Sequence, residues 1–218
     1  MIARLLVGLA RIVSGTRTTW VRPLDGERQR VFFANHTSHL DFILQWAALP
    51  PRVRATARPV AGRDYWERGR LRRYLAAKVF NAVLIDRPSA ARGAGETPRD
   101  REQTVAAARD GIERMVQAMG ERWSLIVFPE GTRGSGAEVS PFKSGLYHLC
   151  RRLPSVELVP VYLENLNRIL PKGESVPVPM MCRVVFGEPM RLESGEGKEA
   201  FLARAREAVV RLGAVGAS

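Results

Sequence analysis

Hydrophobic positions along this chain follow two rhythms: short unbroken apolar runs, and longer stretches where apolar residues return every three or four positions. The first rhythm predicts buried strands at Arg30–Ala34, Ala57–Ala61, Ala82–Ile85, Ser124–Phe128, Leu158–Leu163 and Met181–Phe186. Pro160, which has no N–H to give a ladder, predicts that its strand lies at an edge or carries a bulge. The second rhythm predicts helices over Asp41–Leu49, stopped by Pro50-Pro51, and over the densely basic Tyr65–Val79. Two more are expected, from Pro98 to about Arg122 with Val105, Ile112, Val116 and Met119 on one face, and from about Lys198 to Leu212. Ser89–Thr97, small residues with two glycines and no apolar anchor, reads as a mobile loop. Strands alternating with helices predict a single α/β domain with a mixed, partly parallel sheet flanked by helices.

The N-terminus has a different pattern. Arg4 and Arg11 are seven positions apart and share one helical stripe, while Ile2, Leu5, Leu6, Leu9, Ile12 and Val13 cover most of the rest. Residues 1–22 are therefore read as an amphipathic helical segment and 23–218 as the α/β domain. Such a helix either lies in a membrane interface or packs on the domain, and the first reading is preferred. No stretch approaches the roughly 18–20 uncharged apolar residues that a bilayer span needs.

Composition narrows the partners. The 218 residues suffice for one substantial core, and 45% hydrophobic content excludes wholesale disorder. The formal charge is +12, and only four of the 34 basic residues are Lys, so 30 are Arg. Guanidinium binds phosphate through two hydrogen bonds and stays charged when partly buried, which points to an anionic partner such as lipid headgroups. No helix-turn-helix, zinc spacing or RNA-binding aromatic signature accompanies the charge, so nucleic acid is not expected. Cys150 and Cys182 stand apart without a C-x-x-C, read as small core hydrophobes, and suit a reducing compartment.

Candidate chemistry gathers where predicted strands end. In Asn35-His36-Thr37-Ser38-His39-Leu40-Asp41 a strand hands over to a helix, and Asp41 can face His36 across the turn. The carboxylate would then fix the imidazole tautomer and leave the other ring nitrogen free to accept a proton. Alternatively, Ser38 or Asp41 merely caps the helix. His39 is the weaker candidate. A metal site built on His36, His39 and Asp41 has no further ligand in support, so no metal is expected. Phe128-Pro129-Glu130-Gly131-Thr132-Arg133 follows a second strand, with Arg133 suited to a phosphate, and Ile85-Asp86-Arg87 follows a third. Together they describe a base beside an anion-binding rim.

The same residues resemble the glycerolipid acyltransferases, the group containing 1-acylglycerol-3-phosphate acyltransferase. Asn35-His36 through Asp41 resembles their N-H-x4-D block, Ile85-Asp86-Arg87 their second, Phe128 to Arg133 their third and Val159-Pro160-Val161-Tyr162 their fourth, in the same order and spacing. The resemblance implies transfer of a fatty acyl group from an acyl thioester, acyl-CoA or acyl carrier protein, to the hydroxyl of a lysophospholipid. That acceptor would be 1-acylglycerol-3-phosphate or another lysolipid, and no cofactor is needed. It implies His36 as general base with Asp41 as its partner, and Arg87 and Arg133 on the acceptor phosphate. Glu130, Gly131 and Thr132 would shape that pocket, Lys143 would meet a phosphate, and Pro160 would lie near an acyl channel. Oxyanion donors are expected among backbone N–H groups after Ser38. One departure is Asn81-Ala-Val-Leu84, where the family has a Gly and an aromatic, which leaves acceptor preference open. The expected location is the cytoplasmic face of the cell membrane, peripheral or monotopic, with Tyr65–Lys78 facing anionic lipid. The rival reading is a non-catalytic basic module on nucleic acid or anionic lipid, and hydrolysis at the same site is a third.

Overall fold

Five consecutive buried side chains in Arg30–Ala34 require a strand covered on both faces, and this strand is the middle one of a seven-stranded mixed sheet. The computed structural model describes residues 5, 7–8, 10, 15–24, 28–38, 40–86, 97–134, 136, 138–164 and 181–215. The strands are β1 (Arg17–Trp20), β2 (Arg30–Ala34), β3 (Ala57–Gly62), β4 (Val83–Ile85), β5 (Ser124–Val127), β6 (Glu157–Glu164) and β7 (Arg183–Phe186). Their spatial order is β1-β7-β6-β2-β5-β3-β4. Strands β2 to β6 run parallel to one another, while β7 opposes β6 and β1 runs with β7.

Period-two alternation sorts the core into two layers. Phe32 and Ala34 of β2, Ile126 of β5 and Val159 and Val161 of β6 face one way. They meet Phe42, Trp46 and Ala47 of α1 (Asp41–Ala48) together with Phe80. Val31, Phe33, Leu125 and Leu158 face the other way. They meet Met115 and Met119 of α5 (Pro98–Met119), Leu146 and Leu149 of α6 (Gly145–Arg152), and Phe201, Ala205 and Val209 of α7 (Lys198–Leu212). Burying one such Phe is worth about 1.5–3 kcal/mol. The chain leaves adjacent parallel strands β2 and β5 toward opposite layers, into α1 and α6. That divergence opens a crevice at their C-terminal ends.

Several expectations change here. The helix foreseen over Tyr65–Val79 is three pieces, α3 (Arg63–Trp66), α4 (Arg70–Tyr74) and a π-helical turn at Leu75–Val79. Gly69, at φ +89°, breaks the run. A short α2 (Pro51–Ala55) begins where Pro51 was expected only to end α1, because proline fits a first helical turn. The division at residue 22 also shifts, since Arg17–Trp20 pairs with β7 as an edge strand of the sheet. Of the N-terminal segment, Leu5, Val7, Gly8 and Ala10 are helical, with Val7 buried against the α1 layer and Leu5 exposed. Most of Ser89–Thr97 lies outside the described residues, except Thr97, whose hydroxyl caps α5 in a reciprocal box with Asp100.

Pro160 lies in an interior strand, contrary to the edge expectation, but the bulge alternative is present on its partner. From Val161↔Phe186 to Leu158↔Met190, β6 moves three residues while the other side moves four. Gly187 N–H donates to the Pro160 carbonyl at 2.9 Å. A Cβ at Gly187 would come within 2.9 Å of the proline ring. The missing proline donor therefore faces a glycine just past the end of β7.

Candidate active site

The residue after β2, Asn35, fixes where the crevice begins. Its buried side chain accepts from the Leu163 N–H at 2.8 Å and donates to the Leu163 carbonyl at 2.9 Å, tying the end of β2 to β6. His36 follows. Its Nδ1 lies 2.9 Å from Asp41 Oδ2, and the same oxygen accepts the backbone N–H groups of Thr37 at 2.5 Å and Ser38 at 2.9 Å. Two backbone donors make that oxygen an acceptor, so Nδ1 carries the proton shared with the carboxylate and Nε2 is the unprotonated ring nitrogen. The imidazole stacks on Phe128 at 4.4 Å between centroids, and its side chain is 16% exposed against 0% for Asp41.

The loop after β5 holds the backbone of His36 from both sides. Glu130 Oε1 accepts the His36 N–H at 2.8 Å, and the His36 carbonyl accepts from the Gly134 N–H at 2.8 Å. Glu130 Oε2 accepts from Ser140 N–H at 3.2 Å, and the residue is 3% exposed. Glu130, which the resemblance implied as shaping the acceptor pocket, thus points inward as a buried clamp on the backbone. Gly131 takes φ +72°. A Cβ there would fall 2.6–2.9 Å from the end of the Lys143 side chain, so glycine lets that lysine cross the loop. The Lys143 N–H also donates to the Pro129 carbonyl at 2.9 Å. Gly131, Thr132, Arg133 and Lys143 are exposed around this turn, with Arg133 adjacent to the glycine that binds His36.

The structure therefore gathers His36, Asp41, Glu130, Gly131, Thr132, Arg133 and Lys143 at one sheet end. Arg87 and His39 lie outside the described residues. Pro160 sits within the sheet, in register with Phe33 and on the layer facing α7 rather than α1. The expected oxyanion donors after Ser38 are largely engaged. Thr37 and Ser38 donate to Asp41, Leu40 to Ser38 Oγ and Asp41 to the Ser38 carbonyl. Sequence reasoning missed the clamp made by Glu130 and Gly134, and Gln45. One helical turn beyond Asp41, Gln45 is fully buried. Among the described residues, its amide atoms and Asp41 Oδ1 have no hydrogen-bond partner. The i,i+4 spacing from Asp41 was the available signal.

The cysteines are buried free thiols, and burial pushes Cys150 up to about 12 and Cys182 up to about 11. Among the described residues, no three His, Cys, Asp or Glu side chains form a group that could hold a metal ion. None of the described helices is long and apolar enough to cross a membrane.

A family model described as Acyltransferase matches residues 16–164. The 1-acyl-sn-glycerol-3-phosphate acyltransferase of Salmonella typhimurium is 27% identical over 159 residues, 69% of this chain and 54% of the relative. The enzyme of the same name from Escherichia coli is 27% identical over 169 residues, 71% of this chain and 58% of the relative. That from Limnanthes alba is 24% identical over 174 residues, covering 77% and 52%. The chain thus spans just over half the length of the curated relatives it matches. The crystal structure of the 1-acyl-sn-glycerophosphate (LPA) acyltransferase PlsC from Thermotoga maritima superposes with a TM-score of 0.70 at 18% identity. It covers 100% of this chain and 80% of that one, and supports the fold.

Proposed function

The chain belongs to the Acyltransferase family, and from that premise we propose that it moves a fatty acyl group from a thioester to the free hydroxyl of 1-acylglycerol-3-phosphate, giving phosphatidic acid. The relatives' shared name supports this acceptor. The observation that carries the chemistry is the His36–Asp41 contact at 2.9 Å on an oxygen already held by two backbone donors. In this reading His36 Nε2 removes the hydroxyl proton as the oxygen attacks the thioester carbonyl, and Asp41 stabilises the imidazolium. When the tetrahedral intermediate collapses, the C–S bond breaks and the imidazolium protonates the departing thiolate. No enzyme nucleophile is needed.

Arg133 at the rim and Arg87 after β4 grip the acceptor phosphate, and Lys143 meets a phosphate of the acceptor or the donor. Glu130 acts through His36. The thioester carrier is coenzyme A or acyl carrier protein, and the reaction takes place at the cytoplasmic membrane surface. Purified protein given both donor types and a panel of lysolipids, with products read by mass spectrometry, tests the reading. Phosphatidic acid from lysophosphatidate is expected; free fatty acid alone, or no thioester consumption with any acceptor, would reject it.

A further inference from the structure

All five residues of helix α4 are exposed, whereas α2, which also buries none, half-covers Val53 and Arg54. The exposed stretch runs from Glu67 to Tyr74 without a break. Within it Leu71 is 70% and Tyr74 47% exposed. At 3.6 residues per turn these two lie about 60° apart on the helix, with Arg70 and Arg73 on one side and Arg72 on the other. A soluble surface gives a short helix no reason to present large apolar groups ringed by guanidinium groups.

The charges are also left available. Between Arg63 and Lys78 stand six basic and two acidic residues. Arg63 takes Glu67 at 2.8 Å and Asp86 at 3.0 Å. Arg72 lies over the Tyr65 ring at 4.3 Å. Among the described residues, Arg68, Arg70 and Arg73 form no ion pair.

Position adds the third observation. Helix α3 starts directly after β3, at the same sheet end as His36. Trp66 packs edge-on to Phe42 at 5.3 Å, and Phe42 adjoins Asp41. The arginine-rich knob therefore stands on the wall of the crevice that holds the base.

We propose that Arg68–Tyr74 is a docking surface for an anionic lipid bilayer, with Leu71 and Tyr74 entering the interface and Arg70 and Arg73 on lipid phosphates. The pairing of exposed apolar and cationic groups fits a headgroup layer over an acyl region. An acidic protein would match the charges but leave Leu71 without an apolar phase. Docking here presents the crevice mouth to the membrane. The proposal deepens the membrane partner named above and needs no catalytic step.

Flotation tests it, with vesicles of phosphatidylcholine alone and with roughly a third phosphatidylglycerol. The parent is expected to float with the anionic vesicles. Arg70→Ala/Arg73→Ala should lower the partition coefficient roughly tenfold or more, and Leu71→Ser/Tyr74→Ser should lower it severalfold, with melting temperatures unchanged because these side chains are exposed. A polarity-sensitive dye on Leu71→Cys, selective because Cys150 and Cys182 are buried, should brighten on anionic vesicles. Variants that float like the parent, or a parent that ignores vesicles while binding an acidic carrier protein in solution, would overturn the proposal. Neither thioester nor acceptor is present, so the outcome is separate from whether the site turns over.

Discussion

Two stretches that follow the parallel strands on either side of β5 treat their polar groups in opposite ways. Around His36, after β2, the Asp41 Oδ2 atom and both Glu130 oxygens accept from the chain itself, and both carboxylates are buried. Around α4, after β3, the guanidinium groups of Arg68, Arg70 and Arg73 point outward beside exposed Leu71 and Tyr74. The first region is specified from within, as a site that must hold one ring within fractions of an ångström requires. The second has charges and apolar surface that find partners only outside the fold. Substitutions should therefore act on rate in the first region and on attachment in the second.

The sharpest break is at Asp41. Asp41→Asn retains an acceptor for Nδ1–H and the two backbone donors but loses the charge that, in the proposed mechanism, stabilises the imidazolium. A fall in kcat of about 10²–10³-fold with little change in acceptor KM is expected from steady-state kinetics. Glu130→Gln sets an amide against the Ser140 N–H while still accepting from His36. It should lower kcat about tenfold or more and stability by about 1–3 kcal/mol in urea titrations. A rise in acceptor KM with kcat unchanged would instead return Glu130 to the substrate pocket.

Legibility in the sequence divides along the same line. The strands β2 and β5 and the helices α1 and α7 were readable because unbroken apolar runs and apolar periodicity leave few alternatives. β1 was not, since Arg17-Thr-Thr-Trp has one apolar anchor, Trp20, and its identity as a strand comes from pairing with β7, where Trp20 stacks on Phe186 at 3.8 Å. α6 escaped notice because its two turns bury only Leu146, Leu149 and Cys150. Motif spacing brought His36 and Asp41 together correctly. It could not say which way Glu130 points, because that depends on N–H groups 94 and 10 residues distant.

Smaller effects sharpen the contrast. Arg133→Ala, at an exposed rim position, should raise acceptor KM about tenfold while leaving kcat within a factor of two. The buried thiols set a modest pH effect. Unfolded cysteines release protons near 9.0, while Cys150 holds its proton to about 12 and Cys182 to about 11. The unfolded state then binds fewer protons, so stability falls as pH rises past about 9, by about 1 kcal/mol per thiol one pH unit higher. Urea midpoints measured with and without Cys150→Ala should show the slope flattening in the variant.

The central claim is that the ring at residue 36 supplies the base. Its most direct test is the initial rate of thiol release by His36→Ala with a saturating thioester and 1-acylglycerol-3-phosphate, measured beside its melting temperature. The account predicts a rate lower by about 10²–10⁴-fold with an unchanged melting temperature. Turnover close to that of the parent protein would contradict it.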